Sequence, residues 1–269
     1  MAMTNSGGRR FRKVAVILFG AGAALALAGC KHEPERRLAF ERDIVFAPQP
    51  PAFVAGPMAT AFTNRAGFSA RVVASGVFAD RTGQITGQLL GRGHWLRLAL
   101  DPRPTAAEKD RREDPGFSFL WDVSLNQGYL LCEALQGYAP LSARTRYSDL
   151  QETPEAGPPQ PVGGWRASPA TVTARMADGA QARFEVWRVR ELEGFPVRIH
   201  ALEGLDNTDV NLSKIRLQPP PADVFVIPKG FTPYSSAEAL ADEVAIRRRA
   251  LKQSELLPGV VLDPYETPR

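Results

Sequence analysis

Cys30 is the residue whose type and setting most directly predict chemistry. A cysteine thiolate is a good nucleophile, and the small residues Ala28 and Gly29 before it leave room for a peptidase. A basic segment with four cations comes first, followed by an uncharged run over residues 14–28. At 15 residues, this run is shorter than the roughly 20 that span a bilayer as a helix. Together these parts predict an export signal.

The ending Leu27-Ala28-Gly29-Cys30 resembles the bacterial lipobox. The resemblance implies diacylglyceryl transfer to Cys30, cleavage between Gly29 and Cys30, and acylation of the new amino group, commonly by palmitate. We therefore expect a lipoprotein signal peptide over residues 1–29, with Cys30 attaching the mature chain to the membrane. Two or three acyl chains give stable attachment. A signal anchor with an incidental cysteine is the alternative.

The location of the anchored chain is predicted from the residue after the cysteine. Lys31 stands there. By resemblance to enterobacterial sorting, the lack of Asp at this position favours the outer membrane. We therefore expect a cell-envelope protein that is lipid-anchored and faces the periplasm.

Removal of residues 1–29 balances the charge of the chain. Four of the 33 basic residues lie in the signal and none of the 29 acidic ones do, which leaves 29 of each sign. The mature chain therefore gives no support for nucleic-acid binding, which needs a basic patch on the folded domain. Cys132 is the other cysteine, so no intramolecular disulfide is expected. Its apolar neighbours favour a buried structural thiol, with a reactive thiol as the alternative.

Composition divides the mature chain into three parts. Residues 30–57 are rich in proline and lack apolar periodicity, which is typical of a tether. Residues 58–235 are expected to form a β domain that opens with a short helix over residues 58–64. Residues 236–269 are expected to form a C-terminal helix and tail.

Apolar alternation through the body of the chain predicts antiparallel strands. The clearest stripe runs over residues 117–125, and residues 128–135 are its expected hairpin partner. Asp178-Gly179 marks the turn of a second hairpin. These patterns predict a mainly β (α+β) fold with one antiparallel sheet.

Two long loops and one long helix complete the secondary-structure prediction. Residues 103–114 are highly charged and residues 149–169 are rich in proline and glycine, so both are expected to be loops. Ser235-Ser236-Ala237-Glu238 is typical of a capping box and predicts a helix ending near Leu257. The basic end of this helix predicts a solvated helix terminus, with contact to anionic lipid as the alternative.

Two stretches resemble a known family. Residues 179–199 include Phe184-Glu185-Val186-Trp187, and residues 215–231 end in Ile227-Pro228-Lys229-Gly230-Phe231. Together they resemble the closing strands of LolA-like lipoprotein carriers and outer-membrane lipoprotein-sorting domains; over residues 60–140 the resemblance is only architectural. The family implies a curved half-barrel, closed by helices around an apolar cavity. The soluble carrier is not lipidated, however, so a stationary acceptor, sensor or scaffold fits this chain better.

Five apolar residues are candidates for a ligand-binding surface: Trp95, Phe119, Trp121, Phe184 and Ile199. They could line a cavity for a lipid or acyl chain, or form the core beneath the sheet. The first alternative predicts a non-enzymatic lipoprotein that binds an apolar ligand. The second predicts a structural or interaction lipoprotein that recruits another envelope protein. An open cavity would favour the first function and a filled core the second.

No constellation of catalytic or metal-binding residues is recognisable in the sequence. The three histidines are scattered along the chain: His32, His94 and His200. Asp206 and Asp209 lack the spacing of a calcium loop. The chain is therefore expected to be no enzyme and to hold no metal or cofactor. A hydrolase is a third hypothesis, and it requires a fold that brings His94 or His200 beside a carboxylate and a serine.

Overall fold

The computed structural model describes residues 49–256, apart from residues 64, 79–80, 102–115, 143–145, 156 and 206. The predicted signal peptide, Cys30, most of the predicted tether and the charged loop over residues 103–114 lie outside the described residues. No helix in the described part of the chain is long and apolar enough to cross a membrane.

Thirteen strands of the described chain form one curved sheet that does not close on itself. In chain order they are β1 (Phe68–Phe78), β2 (Arg81–Arg92), β3 (Trp95–Leu100), β4 (Phe117–Asp122), β5 (Gln127–Cys132), β6 (Gly137–Ser142), β7 (Tyr147–Pro154), β8 (Gln160–Val162), β9 (Trp165–Met176), β10 (Gln181–Val189), β11 (Phe195–Glu203), β12 (Asp209–Arg216) and β13 (Thr232–Pro233).

The strand order across the sheet is β13-β6-β5-β4-β3-β2-β1-β12-β11-β10-β9-β7, and β8 also pairs with β9. Neighbouring strands are antiparallel except β13, which runs parallel to β6. Most neighbours in this order are consecutive in the chain and joined by short turns. The pairing of β1 with β12 brings the two halves of the chain together.

A short helical segment at the start of the domain lies against the concave face of the sheet. It consists of helix α1 (Ala52–Ala55) and a 3₁₀ helix (Pro57–Phe62), and we call residues 52–62 the inner segment. It contacts β3 and β4 on one side and β10 and β11 on the other. These strand pairs are separated by β2, β1 and β12 in the sheet order. The sheet therefore curves around the inner segment.

The main core lies between the inner segment and this concave face. Phe53, Val54, Met58 and Phe62 are buried, with at most 1% of each residue exposed. Alternate residues of the strands meet them, as the period-2 pattern of a strand requires. The strand residues of this core include Phe68, Val72, Leu89, Leu96, Leu98, Phe119, Trp121, Leu130, Phe184, Val186, Ile199, Val210 and Leu212.

Two glycines on the concave side of β2 leave space for the core side chains of the neighbouring strand β1. Gly91 lies opposite Phe68 in the register of β1 and β2, and Gly87 lies opposite Val72. A Cβ atom on Gly91 would overlap the ring of Phe68. The aromatic ring therefore occupies the space that a side chain on β2 would otherwise take. Small residues at such positions allow strong local bending of a sheet.

The convex face of strands β2–β6 is covered by a different segment. Residues 222–231 place Phe225 against Leu120 and Leu131 in a second buried cluster. The Arg97 guanidinium holds this cover in place, because Nη1 donates to the carbonyl of Val224 at 3.0 Å. Its Nη2 donates to Ser118 Oγ at 3.3 Å and to Glu133 Oε1 at 3.1 Å. Apolar clusters therefore stabilise both faces of this half of the sheet.

Helix α2 (Ala237–Leu256) is capped by the preceding residue Ser236, whose hydroxyl accepts a hydrogen bond from the backbone N–H of Ala239 at 3.1 Å. The predicted helix is thus confirmed, with Ser236 as the residue that caps it. Ala237, Leu240 and Val244 are buried, and α2 packs on β6.

The mainly β fold and the curved sheet are confirmed, whereas three local predictions differ from the structure. Residues 149–169, expected to be a loop, contain most of β7, all of β8 and the start of β9. Strands β7 and β8 lie at an exposed edge of the sheet, so their polar residues and prolines show no alternation of apolar and polar side chains. Helical structure begins at Ala52 instead of residue 58, because Phe53 and Val54 anchor it in the core. The parallel pair β13–β6 departs from a fully antiparallel sheet.

The close contact between Gly91 and Phe68 predicts the effect of one substitution. Gly91→Ala is expected to lower the free energy of unfolding by about 1–3 kcal/mol, because overpacking displaces a buried ring. Urea unfolding of residues 31–269, which contain every residue of the buried clusters, measures this change. Gly83→Ala is the matched control on the same strand, since no atom lies within 4 Å of its Cβ position. Equal effects of the two changes would contradict the packing described for Phe68.

Candidate functional site

The five predicted ligand-binding residues do not share one surface. Phe119 and Trp121 are 2% and 1% exposed, and Phe184 and Ile199 are fully buried. These four belong to the core on the concave face. Trp95 instead packs against the cluster on the convex face, because it alternates in β3 with the inward residues Leu96 and Leu98. Trp95 therefore lies on the opposite face of the sheet from the other four residues, and the ligand-binding role of the five stays a prediction.

The concave face is filled by side chains of the chain itself. Phe62 of the inner segment lies 5.7 Å from Phe68 and 6.1 Å from Phe195, and the latter two rings are 4.8 Å apart, all measured between centroids. The guanidinium of Arg65 lies 5.3 Å from the centroid of the Phe195 ring and donates to the carbonyl of Glu193 at 3.1 Å. Burial, with a smaller effect from Arg188, lowers the pKa of Arg65. This aromatic cluster occupies the place where an apolar ligand was expected.

His94 lies beside a carboxylate that accepts a hydrogen bond from a serine, so the three residue types required for a hydrolase occur in one hairpin. Its Nε2 is 3.4 Å from Asp122 Oδ2. The hydroxyl of Ser124, however, donates to Asp122 Oδ1 at 2.6 Å, and the N–H groups of Ser124 and Leu125 donate to the same oxygen at 2.9 and 3.1 Å. A catalytic serine would donate to the histidine. The bonds to Asp122 are those of an Asx turn that closes the β4–β5 hairpin.

His200 shows a similar order of groups on the convex face. Its Nδ1 lies 3.9 Å from Asp209 Oδ1, and Ser75 is the neighbour of Asp209 on β1. The Asp209 carboxylate again stands between the imidazole and the hydroxyl, because the three residues lie on neighbouring strands. His200 and Ser75 are therefore separated by two strand spacings, each of about 4.8 Å. Arg198 engages Asp209 with two hydrogen bonds, at 2.9 and 3.2 Å, and stacks over Trp187 at 4.9 Å from its centroid. Neither histidine takes part in a relay from serine to carboxylate, and the absence of enzyme activity stays a prediction.

The remaining predicted sites have separate outcomes. Cys132 is fully buried in the core, as expected. Among the residues that the structure describes, no group of three His, Cys, Asp or Glu side chains could hold a metal ion. Asp206, Gly29 and Cys30 lie outside the described residues, so the predicted lipidation site stays a prediction.

A polar cavity on the convex face was not predicted from the sequence. It has a volume of about 360 Å³ and lies where β12, β1, β2 and β3 adjoin. Its polar lining residues are Ser69, Arg71, Gln88, Asp101, Lys214 and Arg216, and we call it the basic cavity. The guanidinium of Arg71 donates through both Nη atoms to the two carboxylate oxygens of Asp101.

A break in strand periodicity is the sequence signal that points to this cavity. Leu212 is buried in the main core, and Ile215 is partly buried against this core and against a second cluster, although strict alternation from Leu212 would place Lys214 on the core side. In the structure Ser69 faces Arg216 and Arg71 faces Ser213, so Ala70 alone stands opposite two residues of β12. Lys214 has a φ of 48° at this bulge. One extra residue therefore restores the apolar pattern and turns the lysine outward.

No protein-family model and no curated protein matches this sequence. Solved structures do show similarity. A structure of PNGF-II is 10% identical, covers 66% of this chain and 33% of that chain, and gives a TM-score of 0.36. The chain thus spans about a third of the length of that protein.

Two further solved structures are similar over nearly their whole length. One is described as an outer membrane lipoprotein-sorting protein domain from Vibrio parahaemolyticus; it is 10% identical, with 65% of this chain and 95% of that chain covered and a TM-score of 0.31. The other is a DUF1329 family protein from Desulfovibrio piger, 10% identical, with 64% and 94% covered and a TM-score of 0.22. At these TM-scores the similarity carries no argument about function.

The turn at Asp122 predicts a structural effect of removing its carboxylate. The side chain is 5% exposed and accepts three hydrogen bonds through one oxygen. Asp122→Ala is expected to lower the free energy of unfolding by about 2–3 kcal/mol. Asp178→Ala is the matched control, since its exposed carboxylate accepts one such turn bond, from the N–H of Ala180. Labelling of native Ser124 by a serine-directed fluorophosphonate would contradict a purely structural role for the turn.

Proposed function

We propose that this chain is a lipid-anchored protein of the cell envelope whose β domain works without catalysis as an interaction module for another envelope protein. The observation that carries the proposal is the filling of the concave face. Phe53, Val54, Met58 and Phe62 occupy it to near-complete burial. A close-packed core of this kind forms a rigid support for recognition on its outer surfaces. Recognition then takes place on the edges and the convex face.

The predicted anchor gives this module its position. The lipobox-like residues imply attachment through Cys30, and the core begins near Phe53. A flexible chain of that length spans about 25 Å on average. This span allows the domain to stand clear of the lipid headgroups, so that its surfaces are accessible from the periplasm. A mature chain with equal numbers of acidic and basic residues experiences little net attraction to an anionic membrane.

Apolar-ligand binding is the second candidate, and the attachment of the inner segment favours it. The backbone hydrogen bonds of this segment are local: Val54 and Ala55 donate to the carbonyl of Pro51, and Ala59 donates to that of Gly56. Side-chain packing, rather than strand pairing, is what joins the segment to the sheet. A lipid or acyl chain could replace these side chains and offset the cost of displacing them. The concave face would then become a half-barrel cavity lined by Phe119, Trp121, Phe184 and Ile199.

The anchor is tested by removing the thiol that would carry the lipid. Cys30→Ser is expected to abolish both the incorporation of radioactive palmitate and the cleavage of the signal peptide from the precursor. The reason is that a serine hydroxyl does not replace the thiolate in diacylglyceryl transfer. Palmitate labelling of cells measures the first effect, and the electrophoretic mobility of the chain measures the second. Cys132→Ser is the matched control, since this buried cysteine should leave labelling unchanged. Continued palmitate labelling of Cys30→Ser would rule out the assignment.

The filled core is tested with the soluble chain, residues 31–269. The interaction proposal predicts no saturable uptake of a fluorescent fatty acid by the wild-type chain. Phe62→Ala is expected to lower the free energy of unfolding by about 3–5 kcal/mol, whereas Leu125→Ala, at a residue that is 64% exposed, should change it by less than about 0.5 kcal/mol.

Saturable uptake by the wild-type chain, together with lipid retained in native mass spectrometry, would establish the second candidate in its place. Crosslinking in cells supplies the complementary result. A photocrosslinking residue at the exposed position Trp165 or Leu202 should recover one defined envelope protein. Recovery of no protein partner from either position would count against the interaction module.

A further inference from the structure

The basic cavity combines three cations with one carboxylate. Arg71 and Asp101 form a two-point ion pair, and this pair leaves the guanidinium fixed in place. Lys214 and Arg216 make no salt bridge with any residue that the structure describes. The described lining of the cavity therefore carries two positive charges that no carboxylate balances.

The β-bulge holds the backbone of Lys214, a lining residue of the cavity, in a left-handed conformation. A φ of 48° is a left-handed conformation that residues other than glycine rarely adopt. Such a conformation is energetically unfavourable and persists only where the surrounding structure imposes it. The other left-handed non-glycine residue inside a described strand is Asp149, at the exposed edge strand β7. Lys214, by contrast, lies at the bulge in the middle of the sheet and lines the basic cavity on the convex face.

We propose that the basic cavity binds an anion of the phosphate class, held by Arg71, Lys214 and Arg216. Arg71 uses two N–H groups on Asp101 and keeps three for a ligand. The two unbalanced cations suit the charge of about −1.5 to −2 that a phosphomonoester carries at pH 7. The Ser69 hydroxyl and the Gln88 amide lie in the same lining and supply further donors for a tetrahedral oxyanion.

The dimensions of the site favour a single phosphate group over a longer polyanion. The cavity is a local depression of about 360 Å³, and the mature chain carries equal numbers of acidic and basic residues. Nucleic acid would require a more extended basic surface. The phosphate could belong to a soluble phosphate compound or to an anionic lipid headgroup. Both sources present negatively charged, non-bridging phosphate oxygens to Arg71, Lys214 and Arg216, and the phosphodiester of a lipid carries a single negative charge.

Titration of residues 31–269 with inorganic phosphate at low ionic strength tests the proposal. Isothermal titration calorimetry should show saturable binding that weakens as salt is added, because exposed charges are screened. The double variant Lys214→Asn/Arg216→Gln removes both unbalanced charges, and asparagine tolerates the left-handed conformation. It should weaken phosphate binding by about tenfold or more. The control Arg190→Gln/Lys229→Asn removes the same charge at exposed positions outside the cavity and should bind like the wild type.

Cosedimentation with vesicles identifies the source of the phosphate. Binding to phosphatidylglycerol vesicles but not phosphatidylcholine vesicles, lost in the double variant, would assign a lipid headgroup. Binding of inorganic phosphate without vesicle binding would assign a soluble phosphate compound. Wild-type affinity in the double variant, equal weakening in the control, or no binding to phosphate or vesicles would each overturn the proposal. Circular dichroism of both double variants confirms that the fold is retained.

Discussion

Burial of the inner segment against the concave face of the sheet is the interaction on which the rest of the structure depends. An unclosed sheet of this size has an apolar face too large to leave in water. Phe62 joins Phe68 and Phe195 in one aromatic cluster, which links the inner segment to β1 and to β11. Since β1 and β11 lie on opposite sides of β12, this cluster also fixes how strongly the sheet curves. Both functional proposals follow from how firmly this segment is held.

With the concave face filled, the surfaces that remain for recognition are the convex face and the edges. Residues 222–231 cover one half of the convex face, where Arg97 and Phe225 hold them. The middle of that face carries the basic cavity, whose lining includes Lys214 from the bulge in β12. Apolar packing thus accounts for stability, while a local departure from strand geometry supplies a polar site. The apolar core and the basic cavity lie on opposite faces of the same strands. A substitution in the lining of the cavity can therefore leave the core packing unchanged.

Local patterns in the sequence predicted the regular parts of the fold. The turn at Asp178-Gly179 and the helix that Ser236 caps appear where their residues place them, because turn and cap preferences act over a few neighbours. Strands β7 and β8 were missed because exposed edge strands bury too little to require alternation. The candidate site was less predictable. The side of the sheet that Trp95 faces, and the occupation of the concave face by Phe53 and Phe62, depend on contacts between distant parts of the chain.

The most direct test of the filled concave face is thiol labelling of Met58→Cys in residues 31–269. Met58 of the inner segment is fully buried in the core against the sheet, and the native Cys132 provides a buried reference in the same molecule. The packed structure predicts that both thiols react with a maleimide slowly and with the same dependence on urea, because global unfolding exposes them together. Leu125→Cys, at the exposed hairpin turn, should react at once. Fast labelling of Met58→Cys in the absence of urea, with Cys132 still protected, would show that the inner segment leaves the sheet and would contradict the account.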